Sequence, residues 1–391
     1  MNLQLNKSIL QDSDYTVLWD LPKLPLTEKM GDFIGYDSFS YDQKLVIRND
    51  TGHVQLLNHL SPQELYTASN YNFRTSETNS SMRHLETFCS FVGSSIGSNK
   101  KFRSLVDIGG NDLAAVKCLR AMSKNAAVID PICSQDDGKI IDSIKVIGRF
   151  IEDVDLTIEL DSPDLVFCRH TIEHISNPWM FIEQLFSQCD KDCTYIFEMP
   201  NFSSLIEAGR FDAIFHQHVH YFDLYTFKSL LADVGGQFLG HYIDHQGSCG
   251  GSLFVCFKKS PTKVLRSVVN IEDRVNFIKS AIKSYKKNMG LQREILNNLE
   301  GKIYGYGGGL MLATLNYHLK FDLSQLECIL DDDPLKDEQS YMNLPIKIKH
   351  FDTIRPDINA NYLITSLENV RPIYKKIINL QPRRVVIPCV L

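Results

Sequence analysis

Leu105-Val106-Asp107-Ile108-Gly109-Gly110-Asn111-Asp112 decides the fold. An apolar run ends in a carboxylate, passes two glycines and enters a stretch that predicts a helix over 112–122. Strand, glycine turn and helix together make the first βα turn of a doubly wound sheet, where strand carboxyl ends open into a ligand crevice. The glycines let the backbone approach a ligand, and the helix start offers unpaired N–H groups. A dinucleotide enzyme would carry Gly-x-Gly-x-x-Gly here to cradle a pyrophosphate. This loop instead sets Asp107 ahead of Gly109, Gly110 and Asn111. An acidic side chain repels a pyrophosphate but suits a ligand bearing an ammonium and a sulfonium. The next strand, expected over 126–129, ends at Asp130 and Pro131, and a carboxylate there can accept both ribose hydroxyls. Asp107 with Asp130 therefore reads as an S-adenosylmethionine site rather than an NAD site.

Outward from that turn, strands are expected over 102–108, 126–129, 165–168 and 194–199, and helices over 112–122 and 179–187. This alternation means βαβ units and a mostly parallel sheet. Runs over 237–242 and 252–257 finish it as an antiparallel hairpin. Before it lie a helix over 81–93 and an irregular region with strand-like runs at 15–19, 44–47 and 53–57. After it, 265–300 is charged and helical in period. Gly305-Tyr306-Gly307-Gly308-Gly309 then opens a second, smaller Rossmann-like unit with strands over 302–306, 327–330, 362–365 and 384–388. The expected division is 1–80 for an N-terminal lobe, 81–262 for the cofactor domain, 263–300 for a helical connection and 301–391 for the C-terminal domain.

Composition removes several classes of function. The 391 residues are 43% hydrophobic and 23% charged, ordinary for a soluble globular protein. A net charge of -6 gives no basic field for nucleic acid. No stretch nears the roughly 18 apolar residues of a membrane helix, and the N-terminus lacks a signal-peptide core. The expectation is a cytoplasmic protein, monomer or homodimer, acting on a small molecule. Its ten dispersed cysteines read as reduced thiols, and the pair Cys189 and Cys193 is weak evidence for a metal.

Phe211-Asp-Ala-Ile-Phe215-His216-Gln217-His218-Val-His220-Tyr221-Phe222 carries three of the chain's twelve histidines in five residues. Histidine exchanges protons near neutral pH. His218 is read as a general base, and His216 as the more structural ring. The fourth strand runs into Arg169-His170-Thr171-Ile172-Glu173-His174-Ile175, which places His170 by the cofactor and His174 over its reactive end. His174, Gln217 or Tyr221 could donate to a developing oxyanion, and His174 is the rival base.

Glu173-His174-Ile175, Phe197-Glu198-Met199-Pro200, the 211–222 run, Gly250-Gly251-Ser252-Leu253, Gly305-Tyr306-Gly307 and Asp331-x-x-Pro334-x-Lys336 together resemble the sugar C-methyltransferases. The resemblance implies a small N-terminal zinc domain, a class I methyltransferase domain with a seven-stranded sheet and a C-terminal Rossmann-like domain. It also implies methyl transfer to carbon of a keto-deoxy sugar nucleotide. By motif position it puts Tyr71, Phe73, Glu198, Phe215, His216, Ser252 and Lys336 at the substrate. The chain departs from the pattern in several places. No cysteine occurs in 1–88, and Arg48-Asn49-Asp50-Thr51 stands where the family has Cys-x-x-Cys, so zinc is expected to be absent. The family's Tyr-His-Glu-His is Phe215-His216-Gln217-His218 here, Phe73 replaces a tyrosine, and Cys249 stands where His is common. Fewer proton carriers remain, which also suits an already acidic substrate, or oxygen or nitrogen as nucleophile. A non-catalytic cofactor-binding protein is the third reading.

Overall fold

The computed structural model describes residues 5–7, 14–27, 29–61, 79–97, 100–266, 270–354, 357 and 359–388. Tyr71 and Phe73 lie outside the described residues.

Its central sheet runs Gly236–Asp244, Ser252–Lys259, Thr194–Pro200, Leu165–Arg169, Phe102–Ile108, Ser123–Ile129, Ile144–Ile147, Ile140–Ile141 from edge to edge. The five strands from Thr194–Pro200 to Ile144–Ile147 are parallel. Ser252–Lys259 runs antiparallel to both of its neighbours, as the expected hairpin requires. This order, with one reversed strand, is the class I methyltransferase fold. An eighth strand of two residues, Ile140–Ile141, extends the expected seven by a hairpin with Ile144–Ile147. Leu165, Val166, Phe167 and Cys168 are all fully buried, the continuous apolar run of a strand covered on both faces. The order reverses at Phe102–Ile108, so the crevice opens beside that strand's carboxyl end.

The N-terminal lobe is more regular than its short strand-like runs suggest. Tyr15–Pro25, Ser40–Arg48 and Val54–Leu56 form an antiparallel sheet, and His220–Tyr221 completes it beside Val54–Leu56. The edge partner comes from the histidine-rich run, far away in sequence. The connecting segment is one long helix, Ile271–Asn297, capped by the Asn270 side chain accepting from Asp273 N–H. The C-terminal domain is a five-stranded parallel sheet in the order Ile348–His350, Ile329–Asp331, Ile303–Tyr306, Asn361–Ile364, Arg384–Val386. One apolar core joins the lobe (Leu21, Leu45, Ile47), the histidine run (Phe211, Tyr221), the long helix (Ile278, Ile282) and the C-terminal domain (Leu312, Leu315). No helix among the described residues is long and apolar enough to cross a membrane.

Candidate active site

A cleft opens where the carboxyl ends of Phe102–Ile108, Ser123–Ile129 and Leu165–Arg169 meet. Asp107, Gly109, Gly110, Asn111, Asp130 and His170, the expected cofactor residues, all line it. Asp107 is buried, and neither carboxylate oxygen has a hydrogen-bond partner. Burial pushes its carboxyl up to about 7, with Arg169 opposing and Asp130 adding to the rise. An orphaned carboxylate at this point fits a cationic group. Asp130 shapes the turn, its oxygens accepting Asn111 N–H and Ile132 N–H, each at 2.9 Å. Gly110 is needed for packing: a Cβ there would sit 2.3 Å from Val128 and 2.9 Å from Asp107 Oδ2. Gly109 has φ 73°, and its Cβ would overlap Thr171. Both glycines thus yield to neighbouring side chains of the protein. The apolar wall of Ile132, Phe150 and Ile151, with Glu152 at its edge, is absent from the sequence reading. Its signal was the strand Ile144–Ile147, whose alternating Lys145 breaks an otherwise apolar run.

The same cleft continues to His174, Phe215, Gln217 and His218. A chain of buried charge supports them. Glu198 Oε2 accepts from Arg169 Nε at 2.6 Å, and Glu198 Oε1 lies 3.2 Å from His170 Nε2. His170 Nδ1 is 3.4 Å from Glu173 Oε1. Two carboxylates outweigh the cost of burial and lift the His170 imidazole to about 10, so it is a cation at neutral pH. Arg169 and His170 hold Glu198 down at about 2 against its burial.

Glu173 is a buried residue beside the cleft to which the sequence reading gave no role. Its carboxylate is buried, no donor meets either oxygen in hydrogen-bonding geometry, and Oε1 lies 4.0 Å from His174 Nε2 and from His218 Nε2. The signal was present in Glu173-His174-Ile175, where only the histidine was given chemistry. His174 Nδ1 is 2.7 Å from the Gln217 carbonyl, so Nδ1 donates and Nε2 faces Glu173. His218 packs against Phe215 and His174, with ring centroids 4.2 and 4.8 Å away. Burial, with His174 and His170 adding, holds its pKa well below the ordinary histidine value. The ring is therefore neutral, and its burial means that a nearby negative charge is needed for it to hold a proton. Glu173, His174 and His218 also form the one group among the described residues whose donor atoms could share a metal ion.

Five expected residues do not line the cleft. The Tyr221 hydroxyl accepts Phe215 N–H at 3.3 Å inside the core, where it supports the loop and lies away from the cleft in which an oxyanion donor was expected. Glu198 lies beneath the cleft as the counter-ion of Arg169 and His170. His216 is tied to the lobe, Nε2 lying 2.8 Å from the Leu24 carbonyl and Nδ1 3.4 Å from Gln43 Nε2. Burial lowers its pKa to about 4. Ser252 is wholly buried in its strand. Lys336 pairs with Asp331 in the C-terminal domain, Nζ to Oδ2 3.4 Å. In their place Ser81 and His84 enter from the helix Asn79–Ile96, Cys249 from the turn before Gly250, and Leu310 and Met311 from the C-terminal glycine loop.

A family described as a methyltransferase domain matches residues 80–238. That segment is a methyltransferase domain, and its strand order is class I. No curated protein matches the sequence. The N-methyltransferase NodS from Bradyrhizobium japonicum WM9, solved with S-adenosyl-L-homocysteine, is 14% identical with a TM-score of 0.37, over 51% of this chain and 96% of its own. An S-adenosylmethionine-dependent methyltransferase from Clostridium acetobutylicum ATCC 824 is 11% identical with a TM-score of 0.36, over 46% and 94%. The plantazolicin methyltransferase BpumL is 13% identical with a TM-score of 0.36, over 47% and 86%.

Proposed function

We propose that this methyltransferase domain uses S-adenosylmethionine to methylate carbon in a keto-deoxy sugar nucleotide or related small metabolite, with His218 as general base. One observation carries the reading: the orphaned carboxylate of Asp107 and the neutral, buried His218 face a single cleft. Asp107 would hold the cofactor's ammonium, Asp130 its ribose hydroxyls, and Ile132, Phe150 and Ile151 its base. When bound, the cofactor supplies an electrophilic methyl on a sulfonium. His218 removes a proton from the carbon beside the carbonyl through Nε2. The imidazolium that forms lies beside the Glu173 carboxylate, which compensates a charge that burial alone would disfavour. Gln217 stands where the resemblance expects a carboxylate, and Glu173, reaching in from the fourth strand, takes over its charge. The Gln217 amide lines the same cleft and is the group that would donate where the oxyanion develops, since the His174 Nδ1–H is already given to the Gln217 carbonyl and its Nε2 faces Glu173.

Oxygen or nitrogen methylation is the second reading. Phe215 covers one face of His218 with an apolar ring that can neither give nor take a proton. A hydroxyl or amine needs only one base, and that is what remains. The deciding experiment incubates the protein with methyl-labelled cofactor and a panel of keto-sugar nucleotides, and assigns the product by carbon NMR. A new C–CH3 resonance is expected. A methoxy or N-methyl resonance transfers the proposal to the second reading, and no transfer to any keto sugar removes the substrate class.

A further inference from the structure

The helices Asn79–Ile96 and Ala114–Leu119 bring Cys89 and Cys118 together, with their sulfur atoms 2.8 Å apart. A disulfide bond is about 2.05 Å long, so less than an ångström of approach would join them. Cys118 is exposed and Cys89 half-buried, whereas Cys189 and Cys193 are both buried away from any oxidant. The chain between Cys89 and Cys118 contains the strand Phe102–Ile108 and the turn with Asp107, Gly109, Gly110 and Asn111. Both helices wall the cleft, one through Ser81 and His84, the other through Ala115. Arg169 and Asp107, which both line the cleft, are also charged neighbours of Cys89.

We propose that Cys89 and Cys118 are a reversible dithiol whose disulfide clamps the two helical walls of the cofactor cleft. Burial and the neighbouring Cys118 thiol push the Cys89 thiol up, so the exposed Cys118 reacts first. With glutathione disulfide as oxidant, the Cys118 thiolate attacks one sulfur and expels a glutathione thiolate, forming a mixed disulfide. The Cys89 thiol then loses its proton and attacks Cys118 Sγ, expelling the second glutathione. Two protein thiols are oxidised to one disulfide, and one glutathione disulfide is reduced to two thiols. The bond closes a loop around the cofactor turn and removes freedom from the segment that must open for the cofactor to leave.

The test equilibrates the full chain in glutathione buffers of rising oxidised fraction, quenches with acid, alkylates free thiols and maps the peptides by mass spectrometry. A linked Cys89–Cys118 peptide is expected, with a melting temperature a few degrees higher and S-adenosylhomocysteine dissociating at least threefold more slowly. Dithiothreitol should reverse all three, and Cys118→Ser should abolish all three. Glutathione on Cys118 alone, or no linked peptide in the most oxidising buffer, overturns the pairing. A linked peptide with unchanged melting temperature and dissociation overturns the clamp. Neither the peptide nor the melting readout needs a substrate, so the clamp and the methyl acceptor fail separately.

Discussion

Asp107 holds its proton to about pH 7 because Arg169 offsets its burial only in part and Asp130 adds to the rise, and this sets a measurable signature. An acid near 3.9 when unfolded and about 7 when folded costs the ligand-free fold stability as pH rises from about 4 to 7. A cationic ligand favours the ionised form. S-adenosylhomocysteine, which keeps the ammonium, should therefore bind more tightly as pH rises toward 7 and level off above it. Near pH 6 binding should release most of one proton, seen by calorimetry in two buffers of different ionisation enthalpy. Asp107→Asn should abolish the proton release and weaken binding by about 1–3 kcal/mol. Cofactor affinity that is flat with pH and unchanged in the variant would remove Asp107 from the ammonium site. At the other end of the cleft, His218→Asn should keep cofactor affinity and lower turnover about 10²–10⁴-fold. Glu173→Gln should lower kcat with little change in KM, since its charge matters once His218 is an imidazolium. If turnover survives His218→Asn and the acidic limb of the pH–rate profile vanishes in His174→Asn instead, His174 is the base. Asp107, Asp130 and His218 were legible because each lies in a local motif. Glu173 lay in such a motif too but gave no sign of its surroundings, since its neighbour His218 joins it only through folding.

At the scale of elements, the alternating strands and helices of 102–200 were readable because each strand is a continuous apolar run ending in turn residues. The strands Ile144–Ile147 and Ile348–His350 were not, being short and interrupted by lysine. The destination of His220–Tyr221 was equally hidden, because a two-residue strand has no periodicity and its partner is Val54–Leu56 in the lobe. That pairing accompanies a division of labour in the histidine run. His216 and His220 point into the lobe, where His220 Nδ1 meets His53 Nε2 at 2.9 Å, while His218 between them faces the cleft. Strand alternation would put residues two apart on one side, so it is the turn at 216–217, closed by His218 N–H donating to the Phe215 carbonyl at 3.1 Å, that aims His218 away from the lobe. Substituting His216 should thus cost stability more than chemistry. His216→Asn strands the buried Leu24 carbonyl, and its urea midpoint should fall by the equivalent of about 1–3 kcal/mol. Its turnover should fall much less than that of His218→Asn. A larger loss of turnover than of stability would move His216 into the catalytic machinery.

For the whole molecule, the lobe shares one apolar core with distant parts of the chain. Leu18, Trp19, Leu21, Leu24, Leu45, Ile47, Val54 and Leu56 are buried in the same apolar cluster as Ile278, Ile282 and Tyr285 of the long helix and Leu312 and Leu315 beyond it. Trp19 lies edge-on to Phe211 and Tyr285, with ring centroids 6.0 and 6.2 Å away. Tyr317 donates its hydroxyl proton to the Pro22 carbonyl at 2.9 Å, and Asn343 Nδ2 donates to the Leu26 carbonyl at the same distance. The C-terminal domain therefore holds the lobe from outside, work that a small domain lacking a large core commonly leaves to a metal. A lobe that shares its core with the connecting helix and the C-terminal domain cannot unfold alone without exposing that core. Heating should give one cooperative transition for lobe and C-terminal domain, monitored by Trp19 fluorescence in a Trp179→Phe background and by calorimetry together. EDTA should leave its midpoint unchanged, and elemental analysis should find far less than one zinc per chain. An early Trp19 transition that EDTA brings forward would show that a metal holds the lobe after all. Stoichiometric metal lost in His218→Asn, with the Trp19 transition unmoved, would instead place the ion at Glu173, His174 and His218. In that case His218 is a ligand and cannot be the base, and the pH–rate profile should lose its histidine limb when the metal is removed.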